Sequence, residues 1–115
     1  MHEFSIVQSL LTLIEDYARE NNAKSVTKVV VSIGVLSGVE PHLLEMAFNT
    51  FKEGTVAEKA ELIMEIEKLK IKCMDCGKES EKEELNMLCP GCGSLNTQII
   101  SGQDMFLKSL ELEVD

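Results

Sequence analysis

Residues 73–92 read CMDCGKESEKEELNMLCPGC, and this segment contains all four cysteines of the chain. They form two Cys-x-x-Cys pairs, Cys73/Cys76 and Cys89/Cys92, with twelve residues between the pairs. A glycine follows each pair and lets the backbone fold tightly around the sulfurs. Zinc prefers four thiolates in a tetrahedron, and such a closed shell leaves no open position for catalysis. The spacing therefore predicts a structural zinc site.

Three other chemistries use cysteine pairs of this kind. Two disulfides need an oxidising compartment, which we do not expect because no hydrophobic signal peptide is recognisable in the sequence. A thioredoxin-like redox motif needs one reactive pair at a helix start, whereas this chain has two pairs, each followed by glycine. A rubredoxin-like iron site uses the same four thiolates, and ligand chemistry alone does not separate it from zinc.

The overall charge of the chain is strongly acidic. Twenty acidic residues outnumber eleven basic ones, giving a net charge of −9, and acids also dominate between the cysteine pairs. Such a surface repels a phosphate backbone. No apolar run approaches the length needed to cross a bilayer. We therefore expect a cytoplasmic protein that binds neither nucleic acid nor membrane.

The amino-terminal part of the chain carries two clear periodicities. From Phe4 to Ala18, apolar residues recur every three or four positions, which predicts a helix buried along a wide stripe and ending near Asn21-Asn22. From Val26 to Leu36 the period is two, which predicts a strand covered on one side. The predicted helical stripe consists of Phe4, Ile6, Val7, Leu10, Leu11, Leu13, Ile14, Tyr17 and Ala18.

The rest of the chain predicts a second helix and three strands. Pro41 suits the first position of the helix, and Gly54 suits its end. Residues 61–72 predict a strand whose apolar parity changes near Lys68, so that its first half joins the main sheet and its second half leads to the cysteines. The strands predicted after the cysteines are Thr97–Ser101 and Met105–Val114.

Together these elements predict an α+β fold. Two helices cover one face of a three-stranded mixed sheet, and a zinc-ribbon-like four-cysteine excursion is inserted before the last strand. The first two strands, joined through the second helix, should be parallel with a right-handed crossover. We expect two domains, residues 1–70 plus 100–115 for the α+β part and residues 71–99 for the zinc-binding part.

Chemistry outside the cysteines is sparse, and we expect no enzyme. The phosphate-binding, dinucleotide-binding and nucleophile motifs of common enzymes are absent from the sequence, and its two histidines are His2 and His42. His42 starts the predicted second helix, where a solvated histidine is usual. In a chain that keeps Met1, the terminal amine, the His2 imidazole and the amides of His2 and Glu3 can enclose a metal. Ni(II) and Cu(II) favour such planar nitrogen sets, although a second-position histidine is often incidental.

Motifs along the chain follow the order seen in one family. They are the opening Met-His-Glu-Phe-Ser-Ile, the aliphatic first helix, the Ile-Gly-Val-Leu-Ser-Gly that ends the first strand, the Ala-Phe pair of the second helix and the two cysteine pairs. With them the chain resembles the HypA/HybF family of nickel-hydrogenase maturation factors. The resemblance implies a nickel site anchored on His2, with Glu3 beside it, and a structural zinc site on Cys73, Cys76, Cys89 and Cys92.

The resemblance also implies a role and partners. A metallochaperone of this family carries Ni(II) as transient cargo and Zn(II) as a structural ion. It works with a HypB-type GTPase to insert nickel into the large subunit of [NiFe] hydrogenase, and in some bacteria it also serves urease through the urease accessory proteins. For this chain we expect a monomer or a weak homodimer.

Two features limit what the resemblance implies. Some family members carry histidines beside their cysteine pairs, but here Met74, Asp75, Gly77 and Gly93 occupy those flanks, so a histidine-dependent pH response of the zinc site is not expected. Glu40 precedes the second helix and is a candidate supplementary nickel ligand. A carboxylate at that position is ordinarily a helix cap, and we leave it out of the site.

A competing hypothesis belongs to another class of protein. In it the chain is a zinc-ribbon protein-interaction module with no nickel role. The residues Met1, His2 and Glu3 are then incidental, and the acidic surface binds a protein partner.

Overall fold

The computed structural model describes residues 2–115, with side chains from Glu3 onward. Its elements are α1 (His2–Glu20), β1 (Ser25–Gly34), α2 (Pro41–Phe51), β2 (Glu61–Glu67), β3 (Leu69–Cys73), β4 (Glu79–Lys82), β5 (Thr97–Ser101) and β6 (Met105–Glu113). The strands form two sheets, ordered β2-β1-β6 and β4-β3-β5. We call the first sheet with both helices the main unit, and the second sheet with the cysteines the cysteine unit. The predicted α+β fold is confirmed.

The main sheet is mixed, with β1 at its centre. Strand β1 runs parallel to β2 and antiparallel to β6, which confirms the parallel pairing expected for the first two strands. Val29 illustrates the register, because it lies opposite Leu62 on one side and Leu110 on the other. The side chains on this face pack against both helices. The fully buried core residues are Val7, Ile14, Val26, Val29, Val31, Ile33, Leu44, Phe48 and Ala57.

Helix α1 is buried along a narrower stripe than its sequence predicts. Five of the predicted residues are buried: Val7, Leu10, Leu11, Ile14 and Ala18. Phe4, Leu13 and Tyr17 instead keep 39%, 40% and 44% of their surface exposed. A helix on a sheet of three strands buries only the arc that faces the sheet and the neighbouring helix, so residues on the flanks of the stripe stay at the surface. The helix ends as predicted, with Asn22 at a φ of 53°.

Strands β2 and β3 replace the single strand that the sequence predicts over residues 61–72. The chain leaves the main sheet after Glu67 and enters the second sheet at Leu69, so the parity change near Lys68 marks a change of sheet. Strand β4 was not predicted, because its sequence Glu-Ser-Glu-Lys has no apolar alternation. The second sheet spans residues 69–101, a few residues more than the predicted zinc-binding segment. The division into two domains stays a prediction.

The two units are joined where two glycines meet. Strand β1 ends at Gly34, and a Cβ atom built there would lie 2.3 Å from the carbonyl oxygen of Gly102. Gly102 has a φ of +100°, and a Cβ on it would lie 2.8 Å from the carbonyl oxygen of Lys68. Because only glycine lets backbones approach this closely, both positions require it. The main chain also pairs here, since the Leu36 N–H donates to Gly102 O at 2.8 Å.

The molecule is elongated. Its extents are 54 × 29 × 17 Å and its radius of gyration is 17.5 Å, whereas a compact chain of this length has a radius of about 13 Å. The elongation matches an excursion that projects from the main unit. Within residues 2–115, neither helix has the length and apolar character needed to span a membrane.

Candidate metal centres

The first cysteine pair lies in a tight turn at the end of β3. The Gly77 N–H donates to the Cys73 carbonyl at 2.9 Å, and the Cys76 N–H points at the Cys73 sulfur at 3.4 Å. Gly77 has a φ of 78°, a conformation that glycine adopts without strain. Cys73 is buried and Cys76 is exposed. We call this turn, residues 73–78, the first knuckle.

The second pair repeats this geometry. The Gly93 N–H donates to the Cys89 carbonyl at 2.9 Å, and Gly93 has a φ of 77°. The Gly91 N–H points at the Cys89 sulfur at 3.4 Å. Here too the first cysteine is buried and the second, Cys92, is exposed. We call residues 89–94 the second knuckle.

The four sulfurs converge between the knuckles. The Cys73 and Cys92 sulfurs are 3.6 Å apart, the Cys76 and Cys89 sulfurs are 3.7 Å apart, and all four lie within 4.8 Å of one another. Zn–S bonds of about 2.3 Å in a tetrahedron place sulfurs about 3.8 Å apart. The donor set and its spacing therefore fit a structural zinc ion, and none of the four cysteines forms a disulfide.

Hydrogen bonds and crowding move the pKa values of these thiols in opposite directions. Backbone hydrogen bonds lower the pKa of Cys73, and the N–H of Cys76 contributes most. Backbone hydrogen bonds also lower the pKa of Cys89, to about 6, and there the N–H of Cys92 contributes most. The Ser94 N–H lowers the pKa of Cys92, but the three neighbouring sulfurs and burial together raise it to about 12. Four thiolates this close repel one another, and a bound dication offsets that repulsion.

Sequence reasoning missed a polar contact between the knuckles. Asp75 lies inside the first Cys-x-x-Cys turn, and its carboxylate accepts hydrogen bonds from Ser94 Oγ and, at 3.1 Å, from Asn96 Nδ2. These two bonds lower the pKa of Asp75, with the Ser94 bond contributing most. The sequence does show a short polar residue, Asp75, inside the first Cys-x-x-Cys pair and two more, Ser94 and Asn96, just after the second pair. It does not show that these residues meet, because only the fold brings them together.

The amino-terminal residues are described in part. Met1 and the side chain of His2 lie outside the described residues, so the expected terminal amine and imidazole stay predictions. Helix α1 begins at His2. Glu3 follows in its first turn, where its carboxylate is buried and accepts a hydrogen bond from the Glu40 N–H at 3.3 Å.

Glu40 has the capping role expected of a carboxylate at that position. It is the N-cap of α2, and its Oε2 accepts the Leu43 N–H at 2.8 Å. The Glu3 carboxylate binds the backbone at the same residue, so two acidic side chains meet at the start of α2. Negative charge is favourable at a helix amino terminus. His42 is exposed at this helix start.

The comparisons with known proteins agree with this architecture. The HypA family, described as "Hydrogenase/urease nickel incorporation, metallochaperone, hypA", matches residues 1–112. The chain belongs to the HypA family. Two relatives named hydrogenase maturation factor HypA are 47% and 45% identical to it, from Shewanella sp. strain MR-7 and from Wolinella succinogenes. The first alignment covers 98% of this chain and 96% of the relative, and the second covers 100% and 98%.

Two solved structures of the HypA family share the fold. The solution structure of the Ni metallochaperone HypA from Helicobacter pylori has a TM-score of 0.73 at 36% identity, with 98% of each chain covered. A second solution structure of a HypA protein has a TM-score of 0.78 at 38% identity, covering 100% of this chain and 98% of that one. The family resemblance expected from the sequence is confirmed, and with it a family role in nickel incorporation.

Proposed function

We propose that this chain is a nickel metallochaperone that binds Ni(II) at its amino-terminal end and delivers it for the maturation of [NiFe] hydrogenase, with urease as a further destination. Membership of a nickel-incorporation family supports the proposal, as does the opening Met1-His2-Glu3. The chain carries cargo and catalyses no reaction. Its residues 1–70 and 100–115 form a nickel-binding domain, and its residues 71–99 form a zinc-binding domain.

The observation that carries the nickel proposal is the family match over residues 1–112, and the anchoring of the first turn of α1 supports it. The buried Glu3 carboxylate accepts the Glu40 N–H, which ties this turn to the start of α2. Nickel binds the His2 imidazole, the Met1 amine and the amide nitrogens of His2 and Glu3. Amides in a first helical turn have no carbonyl partner within the helix, so helix formation does not compete for them. An anchored turn loses less conformational freedom on binding a metal.

The zinc ion has a separate, structural role on Cys73, Cys76, Cys89 and Cys92. The sulfur spacing and the two tight turns support this assignment. Four thiolates fill the coordination shell, so zinc holds the excursion together and takes no substrate.

The partners follow from the role. The chain exchanges nickel with a HypB-type GTPase and with the large subunit of [NiFe] hydrogenase. Urease accessory proteins are its partners where nickel goes to urease. The chain is a cytoplasmic monomer or weak homodimer. The acidic surface, with its net charge of −9, makes nucleic acid an unsuitable partner.

Nickel titration calorimetry of the zinc-loaded, untagged protein tests the proposal. We expect one nickel ion per chain, and we expect His2→Ala or a residue added before Met1 to abolish that binding while zinc and fold persist. Glu3→Gln keeps the amide ligand but weakens the anchor, so a smaller loss is expected. His42→Ala is the matched control, because it removes the chain's other imidazole, which is exposed at the start of α2.

Equal nickel binding by the wild type, His2→Ala and the extended form would overturn the nickel site. That outcome would favour the zinc-ribbon interaction module instead. A loss of binding in His42→Ala equal to that in His2→Ala would also contradict the assignment. Zinc analysis of the same samples reports on the cysteine site independently.

A further inference from the structure

The two knuckles are related by an approximate repeat. In each, the N–H of the first cysteine donates to the carbonyl five residues later, Cys73 to Lys78 and Cys89 to Ser94, both at 2.9 Å. The glycines after the second cysteines have the same positive φ. The repeat makes Asp75 equivalent to Gly91, and Lys78 equivalent to Ser94.

The repeat therefore relates the contact between residues 75 and 94 to the contact between residues 91 and 78, and the first of these contacts is polar. Asp75 accepts from Ser94 Oγ with one carboxylate oxygen and from Asn96 Nδ2 with the other. Ser94 Oγ in turn accepts the Asn96 N–H at 2.9 Å, and the Met74 N–H donates to the Asn96 carbonyl at 2.8 Å. We call the three side chains Asp75, Ser94 and Asn96 the clasp.

The related contact, between residues 91 and 78, is of a different kind. Lys78 lies over Gly91, where an added Cβ would be 3.0 Å from Lys78 Cδ. A flexible aliphatic stem packs there, whereas the clasp uses hydrogen bonds to a charged carboxylate, which are stronger than neutral ones. The connection between the knuckles is therefore polar and directional on the Asp75 side.

We propose that Asp75 is a positioning residue for the metal, because its carboxylate joins the two knuckles through Ser94 and so slows the release of zinc. The inference rests on the four-thiolate zinc site proposed above. Each knuckle supplies two of the four thiolates, so zinc leaves when the knuckles separate. Ser94 transmits the contact, since its hydroxyl donates to Asp75 while its carbonyl accepts the Cys89 N–H.

The rate of zinc transfer to a coloured chelator tests this proposal on the zinc-loaded full chain. We expect Asp75→Ala to release zinc about tenfold faster than the wild type, at the low end of the range for groups that orient metal ligands. Asp75→Asn keeps one acceptor oxygen and should fall between the two. Glu81→Ala is the matched control, because it removes an exposed negative charge from β4 in the same unit, and we expect its rate to stay within about twofold of the wild type.

A double-mutant cycle separates the clasp from a general loss of structure. If Asp75 and Ser94 act through their shared contact, Asp75→Ala/Ser94→Ala should release zinc no faster than the faster single variant. Additive effects, or an Asp75→Ala rate equal to that of Glu81→Ala, would overturn the inference. Should Asp75→Ala fail to fold, the same comparison applies to Asp75→Asn and Ser94→Ala. A wild type that holds no zinc would overturn the zinc site itself, and the inference with it.

Discussion

At the scale of single residues, the thiol of Cys89 shows how the fold favours the metal-binding form of a cysteine. Its sulfur is buried and receives backbone N–H groups from Cys92 and Gly91, which lower its pKa from the ordinary value of 9.0 to about 6. A lowered pKa means that the fold favours the thiolate, the form that binds metal. At neutral pH a proton therefore competes poorly with zinc for this sulfur.

Zinc release should follow from that competition as the pH falls. Binding requires deprotonated thiols, so the affinity for zinc decreases with decreasing pH. We expect zinc to be retained at neutral pH and to be lost progressively as the solution becomes acidic, because protons compete with zinc for the four sulfurs. Chelator-accessible zinc, measured across a pH series, checks this. Retention of zinc unchanged into strong acid would show that the ligands are misassigned, because carboxylates nearby cannot replace four thiolates.

At the scale of elements, the cysteine unit has too little apolar burial to fold unaided. Its buried apolar side chains, apart from the cysteines Cys73 and Cys89, are Leu69 and Ile71 within the described part of the chain. Two buried apolar side chains are few for a sheet that spans residues 69–101. Segments with so small a core usually need a metal or disulfides to fold. We therefore expect the fold of the cysteine unit to depend on its zinc ion.

Removing zinc should therefore disorder the excursion and spare the main unit. We expect chelation, Cys73→Ala or Cys92→Ala to collapse the amide dispersion of residues 72–96 in NMR spectra. The signals of α1, β1 and α2 should keep their positions, because the main core contains no residue of the second sheet. Full dispersion across residues 72–96 in the metal-free protein would contradict this dependence.

The elements differ in how far the sequence predicts them. Apolar periodicity predicts α1, β1, α2 and β6, because each buries one face against the main core. The polar strand β4 has no such pattern, and it forms because its backbone pairs with β3. The convergence of the four cysteines is predictable from their spacing alone. The clasp on Asp75 is not, because its partner Ser94 is nineteen residues away along the chain and is brought near only by the folded knuckles.

At the scale of the whole molecule, the glycine junction sets how the two units connect. An alanine at Gly102 would combine an unfavourable φ of +100° with backbone contacts of 2.8 and 2.9 Å to Lys68 and Leu69. Contacts this short to main-chain atoms cannot be relieved by rotating a side chain. The strands around the junction would have to shift.

Gly102→Ala should consequently destabilise the protein by about 2 kcal/mol or more, since strained backbone alone costs about 1–3 kcal/mol. The control is Gly38→Ala, at a φ of +79° with open space around the added methyl group. We expect that variant to lose only about 1 kcal/mol. Urea denaturation of both zinc-loaded variants measures the difference. Equal losses would mean that the close backbone approach at Gly102 contributes nothing.

The same junction holds the two ends of the excursion side by side. The Val35 N–H binds the carbonyl of Glu67, where the chain departs, and the next residue, Leu36, binds the carbonyl of Gly102, where it returns. Both ends of the excursion are thus hydrogen-bonded to consecutive residues that follow β1. Because its two ends lie side by side, the segment between them can change its length or its metal ligands without shifting the strand register of the main sheet. A longer segment costs little, because the entropy of closing a loop grows only slowly with its length. The main unit and the cysteine unit are in this sense free to diversify separately.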